Sequence, residues 1–276
     1  MATMLPFSML SPRQTFEDNM RPAELLLRVY RLLDSNDRIR TEGELLDALR
    51  EIVQASMNED LMLIYNELFL GLVRERAQLP RSTLRQATLC HLLRQAVVAS
   101  CTALETYLPA LLRTNLPVMI RARGRDFVPR GDKTVTSYFR DLQFSLDETL
   151  RLLDDETAPE YISNKIVGFI NFKYLSQDKG VHVVGAMLGL ADPWGEIAVQ
   201  LSRDESELKR TLNDTIKRRN DIVHRADRSQ SHPGGDAQDI TFAWTRHAVD
   251  TVNHVCLALD ELAAARVAEL QAMIPG

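Results

Sequence analysis

The chain has 276 residues, enough for one large domain or two small ones. Apolar residues make up 45% of it, which supports a buried core, and 12 Gly and 11 Pro are too few for a collagen-like, linker-rich or turn-rich all-β protein. A formal net charge of −5 excludes a polybasic chain that coats nucleic acid indiscriminately, but not a local basic site.

Taken in chain order, the pattern is helical. Arg21-Pro22-Ala23 reads as the start of a first helix, with proline in the first turn where its missing N–H costs little, running to about Asp34. Thr41 and Glu44 form a capping box ahead of Leu45, Leu46, Leu49 and Ile52. A third helix is expected from about Asn58 to Arg76, before Pro80. Residues 1–80 therefore read as a helical extension that packs on a main helical domain, 81–276. A long helix is expected from near Arg81, with the stripe Leu89, Leu93, Val97, Ser100, Leu104, Tyr107 and Leu111, and Pro109 should kink it or break its last turns. From Pro117 to Lys133 the polar run ending RARGRDFVPRGDK reads as a loop.

Ser145 and Glu148 predict a second capping box, for a helix through Leu153. Helices are expected at about 159–175, 181–190 and 193–201. Ser202 with Glu205 should cap the next, to about Ala226. Residues 229–238 (SQSHPGGDAQ) read as a loop, and a last helix covers about 239–272, with Trp244, Ala248, Val252, Val255, Leu259 and Leu262 on one side. Strand patterning is nearly absent and there is no repeat, so the expected fold class is all-α.

Cys90, Cys101 and Cys256 are odd in number and contain no CxxC, so all three are expected as small buried thiols. The start lacks the pattern of a signal peptide, and the longest apolar stretch, near Val183 to Ala191, falls short of a membrane span. A soluble, cytoplasmic protein without membrane association is the expectation.

The charge is unevenly spread. Arg113, Arg121, Arg123, Arg125, Arg130 and Lys133 face only Asp126 and Asp132, net +4. Lys209, Arg210, Lys217, Arg218, Arg219, Arg225 and Arg228 face Asp214, Asp221 and Asp227, again net +4. Two basic islands on an acidic body suit a focused anion-binding surface, and either alone also suits a solvated face.

The segment KRRNDIVHRAD (217–227) is the most informative. At 100° per residue Leu208, Leu212, Ile216 and Val223 fall within about 80° of one another, and Arg219 falls inside that stripe. A guanidinium on an apolar face needs a carboxylate, phosphate or other acceptor. Asn213, Lys217, Asn220, His224 and Arg228 form a polar stripe beside it, near a helix C-terminus whose dipole favours a cation. These residue types suit RNA cleavage. A histidine moves protons on the 2′-OH or the 5′-oxygen, an arginine holds the phosphate oxygens, and no metal or other cofactor is needed. A bare Arg-x4-His also arises by chance, as a salt-bridged arginine and a surface histidine.

The run Arg219-Asn220-x3-His224, late on a helix in an all-α setting, resembles the HEPN superfamily, and RRNDIVH followed by a small residue and Asp resembles its RiboL-PSP-HEPN branch. The long helix with AVVASCTALETYL and the Trp194 helix fit the same branch; the resemblance covers about residues 82–272. It implies a HEPN-like helical bundle, a two-fold homodimer with facing motif helices, and a metal-independent endoribonuclease, commonly a toxin or antiphage defence effector with an antitoxin or defence-system partner. Carried over, Arg219 and His224 are the catalytic pair and Asn220 the polar companion. Glu105 and Lys217 are supporting residues, although Pro109 replaces the lysine expected after Glu105. Arg121, Arg123, Arg125, Arg130, Arg218, Arg225 and Arg228 would hold RNA. Ala226 stands where members modified by a nucleotidyltransferase antitoxin carry tyrosine, which speaks against that mode of neutralisation. The alternative is a non-catalytic HEPN module that binds RNA or a nucleotide, or that serves dimerisation.

The remaining histidines and tryptophans read as structural. His91 is expected at a core edge and His182 and His232 on the surface, while His247 and His254 share a face without completing a metal set. Trp194 and Trp244 are expected in the core, with base stacking as the alternative.

Overall fold

The computed structural model describes residues 11–34, 86–129, 131–152, 157–171, 175, 177–228 and 235–272. Within these the fold is all-α, about 82% helical. The helices are α1 (Pro12–Leu33), α2 (Gln86–Arg123), α3 (Lys133–Phe139), α4 (Leu146–Leu152), α5 (Ala158–Asn171), α6 (Asp178–Met187), α7 (Pro193–Leu201), α8 (Glu205–Arg225) and α9 (Phe242–Gln271). Arg228 and Ala237 form an isolated antiparallel bridge. The Thr41–Glu44 box, the helix expected from Asn58 to Arg76, Pro80 and His232 lie outside the described residues.

The chain divides into two compact units that interleave along the sequence. The first takes Met1–Asn19, Cys101–Lys217 and Asp250–Gly276; the second takes Met20–Ser100 and Arg218–Val249. Helices α1, α2, α8 and α9 contribute residues to both.

In the first unit Phe16 packs on Tyr107 with ring centroids 5.0 Å apart. The buried Tyr107 hydroxyl donates to Asp260 Oδ1 (2.9 Å) and to the Cys256 carbonyl (3.2 Å), and burial pushes its pKa up, so it stays a donor. Trp194 fills the core and its indole N–H donates to the Asp178 carbonyl at 2.9 Å. In the second unit Tyr30 stacks on Phe242 at 6.0 Å, Arg31 lies over the same ring, and Glu24 pairs with Arg246 at 2.6 Å. The described part of the N-terminal segment is thus integrated into both cores.

Helix boundaries separate what local chemistry dictates from what it leaves open. The first helix starts at Pro12, not at Pro22. Ser11 and Gln14 form the capping box, Gln14 N to Ser11 Oγ (3.1 Å) and Ser11 N to Gln14 Oε1 (3.0 Å), and Pro22 is carried inside the helix. The expected box at Ser145 and Glu148 is present, with reciprocal bonds of 2.7 and 3.2 Å. Lys165, the Tyr161 hydroxyl and the Ser145 N–H hold the Glu148 carboxyl down to about 2.

Asp204, not Ser202, caps α8 through Glu207 N (2.7 Å); Ser202 instead ends α7 in the left-handed region at φ 51°. Helix α2 runs through Pro109 and Pro117 into the expected loop and stops at Gly124, whose φ of +53° suits a glycine after a helix end. The Arg113 carbonyl, which Pro117 cannot serve, receives the Ser163 hydroxyl in a long 3.5 Å contact.

Ala87–Arg123 is also long and apolar enough to cross a membrane by composition, with mean hydropathy 1.2 over 18 residues, which the expectation from Val183–Ala191 overlooked. Half of that window is buried in the protein, and Leu93, Val97, Leu104 and Leu108 are core residues.

Helix α3 lies in a stretch the sequence reading passed over. Asp132 caps it, Oδ1 accepting from Thr134 N (2.8 Å) and Val135 N (3.0 Å), while Oδ2 meets His182 Nε2 at 2.7 Å. His182 is therefore a half-buried partner of a cap, not a plain surface residue. Desolvation raises the Asp132 pKa, but the bonds from Val135, His182 and Thr134 outweigh it and hold the carboxyl below its usual value. Its stabilisation is present above the unfolded pKa and lost as pH falls through the folded one. Asp132→Ala should cost about 1 kcal/mol. The melting-temperature gap between wild type and Asp132→Asn, which keeps a capping oxygen, should narrow from pH 5 to pH 3; a constant gap would contradict the assignment.

Candidate functional site

The motif residues Arg218, Arg219, Asn220 and His224 occupy the last turns of α8, in the second unit. The buried side of α8 runs through Leu208, Leu212, Thr215, Ile216 and Ile222. Val223, expected on it, is 52% exposed, because towards its end the buried side follows Leu208, Thr215 and Ile222 at seven-residue spacing rather than Ile216 and Val223. The same rotation leaves Arg219 and Asn220 half-buried at the margin and turns His224 to solvent. Arg219 Nη1 donates to Asn220 Oδ1 at 3.0 Å, so the carboxamide orients the guanidinium.

The arginine that needs a buried carboxylate is a different one. Arg94, on α2, is 5% exposed, and its Nε donates to Asp227 Oδ2 at 2.7 Å. Arg218 closes on the same carboxylate, Nη2 to Oδ2 at 2.8 Å and Nε 2.6 Å from Oδ1. Arg94 Nη2 also donates to the Gln238 carbonyl (2.8 Å), and Arg218 Nη2 to those of Gln238 (3.1 Å) and Asp239 (2.9 Å). The Arg218 guanidinium lies 5.7 Å from the centre of the half-buried Trp244 ring. Two cations and one fully buried anion leave a net positive charge, which the backbone carbonyls solvate.

Asp227 holds a demanding backbone. Ala226 and Asp227 both have positive φ, 49° and 63°, a conformation that costs a non-glycine residue about 1 kcal/mol or more. Asp227 N donates to the Asp221 carbonyl (2.9 Å), and Gln238 N to the Asp227 carbonyl (2.8 Å). Sequence reasoning placed Arg218 among RNA-holding residues, quoted Asp227 only as part of the motif, and missed Arg94. The available signal was Arg94 itself, directly after Leu93 in an apolar stripe.

The other expected site residues fall in both units. Arg225 pairs with Asp221 at 2.9 Å, and Arg228 Nε donates to the Gly235 carbonyl at 2.8 Å. Exposed Lys217 and half-buried Glu105 belong to the first unit, as do Arg121 and Arg123. Arg121 is ion-paired with Glu160 and Arg123 is half-buried. Arg130 and the Arg125 side chain lie outside what is described. Asn213, on the expected polar stripe, accepts from Asp178 N (3.1 Å) at the start of α6.

His91 is exposed rather than at a core edge, and His247 and His254 are exposed; among the described residues no cluster of His, Cys, Asp and Glu could hold a metal ion. Cys101 and Cys256 are buried, as expected, whereas Cys90 is half-buried with Sγ 3.8 Å from the Ile240 carbonyl.

No family model, curated protein or solved structure matches the chain. The site divides its arginines between support and surface, and this is measurable. Arg218→Ala should cost about 2 kcal/mol in urea unfolding, because it leaves one oxygen of a buried carboxylate without a partner while Arg94 still holds the other. His224→Ala should stay within about 0.5 kcal/mol of wild type. Equal losses in the two variants would refute the division.

Proposed function

We propose that the chain is a HEPN-like, metal-independent endoribonuclease that cleaves single-stranded or loop RNA, a cytoplasmic toxin or defence effector acting as a homodimer. The observation that carries this reading is the pairing of an exposed His224 with an Arg219 that Asn220 orients, on one helix end, while the adjacent Arg218 is committed to Asp227. A dispensable surface needs no such separation of roles.

In the proposed reaction the 2′-oxygen attacks phosphorus and the 5′-oxygen leaves, giving a 2′,3′-cyclic phosphate. One proton leaves the 2′-OH and one is delivered to the 5′-oxygen. A histidine suits either transfer, and Arg219 suits the non-bridging oxygens as negative charge gathers on them. Each chain has one motif histidine, so His224 of a second copy would supply the other proton carrier; a two-fold contact repeats the same patch and brings the pair together.

Wild-type protein incubated with total RNA should yield fragments ending in 2′,3′-cyclic phosphate, with EDTA making no difference. His224→Ala should lower the rate by about 10²-fold or more, and Arg219→Ala by about 10²-fold. RNA retention without cleavage would favour the non-catalytic module, and loss of activity in EDTA restored by a divalent ion would overturn the mechanism.

A further inference from the structure

The last four carbonyls of a helix have no partner within it, and its terminal turn frays unless something ties it down. In α8 that turn is Ile222 to Arg225 and contains His224. Arg218 and Asp227 stand nine residues apart and bracket Arg219, Asn220 and His224, and their side chains meet in one ion pair. The chain reverses through Ala226 and Asp227 at positive φ immediately after the turn, and Asp227 folds back along the helix.

Three polar atoms of Asp227 are hydrogen-bonded, N to the Asp221 carbonyl, O with Gln238 N, and Oδ2 with Arg94 and Arg218, while Oδ1 is ion-paired with Arg218 Nε at 2.6 Å without hydrogen-bond geometry. Arg94 reaches the carboxylate from 133 residues upstream, which anchors the turn to α2 as well as to its own helix.

We infer that Asp227 is a positioning residue for His224: clasped between Arg94 and Arg218, it holds the final turn of α8 closed and so fixes where the imidazole stands relative to Arg219. The clasp acts through the backbone, and Asp227, fully buried, touches no substrate. Its effect on cleavage rests on the endoribonuclease reading; its effect on the helix end does not.

The experiment uses the full chain with Asp227→Glu and Arg94→Lys, which keep the charges but displace them, beside Asp227→Asn, which removes one. Asp132→Ala serves as a control destabilised at a different cap. Amide hydrogen exchange and the imidazole NMR signal of His224, assigned with His224→Gln, report on the helix end. Steady-state cleavage of a single-stranded RNA reports kcat and KM. Circular dichroism selects the variants that remain folded.

In Asp227→Glu and Arg94→Lys, protection of the Ile222–Arg225 amides should fall about tenfold relative to α2, and the His224 signal should shift. The Asp132→Ala control should change neither. Misplacement of a reacting group lowers turnover, so kcat should fall about tenfold to a hundredfold with KM within about threefold. Unchanged protection and an unchanged His224 signal in folded variants overturn the clasp. Loss of protection with an unchanged kcat overturns its positioning role. If wild type does not cleave RNA, the endoribonuclease reading fails, and the exchange and NMR measurements still decide the clasp.

Discussion

A carboxylate sealed from water between two guanidinium groups constrains everything around it. Burying Asp227 alone would be prohibitive, and burying Arg94 alone equally so. Together with Arg218 and the carbonyls of Gln238 and Asp239 they form a set in which opposite charges and carbonyl dipoles offset one another, although Asp227 Oδ1 and Arg218 Nε meet only as an ion pair. Such a set tolerates little displacement, because removing Asp227 leaves two cations without their anion and removing either arginine leaves part of a buried carboxylate without a partner. The end of α8, the first half of α2 and the segment leading into α9 are therefore fixed to one another by electrostatics as well as by apolar packing. The backbone of Ala226 and Asp227, unfavourable by itself, is the conformation that brings the carboxylate to its partners.

This arrangement gives the motif two kinds of residue that look alike in sequence. Arg218 and Arg219 are adjacent and chemically identical, yet a 100° rotation sends one into the clasp and over Trp244 and sets the other at the margin against Asn220. His224, in the next turn, faces solvent. The buried ion pair thus lies beside an exposed polar edge on the same helix end.

The helices themselves obey local rules with few exceptions, and the exceptions are instructive. Ser11 with Gln14, Asp132, Ser145 with Glu148, and Asp204 each cap a helix through a side-chain oxygen one or a few residues ahead of the first turn. Proline was the misleading signal. Pro22, Pro109 and Pro117 all sit inside helices, and Gly124 is where α2 stops. Proline removes one bond from a long ladder, and the apolar face of α2 buries enough surface to outweigh that loss.

Local spacing along the chain dictated the all-α class, because apolar residues recur every three to four positions from α2 through α9 and strand alternation is nearly absent. It also determined the placing of α7, the core stripe of α2, the Ser145 cap, and the presence of an arginine, a carboxamide and a histidine within two turns of one helix. These follow from spacing along one chain, which periodicity reports directly. Tertiary structure alone decided which arginine is buried, that Arg94 and Asp227 meet across 133 residues, that Val223 is exposed where Ile222 is not, and that His182 serves the Asp132 cap. It also decided that the compact units interleave along the sequence. Each of these depends on which distant residue arrives opposite a given side chain, and helical spacing carries no information about that partner.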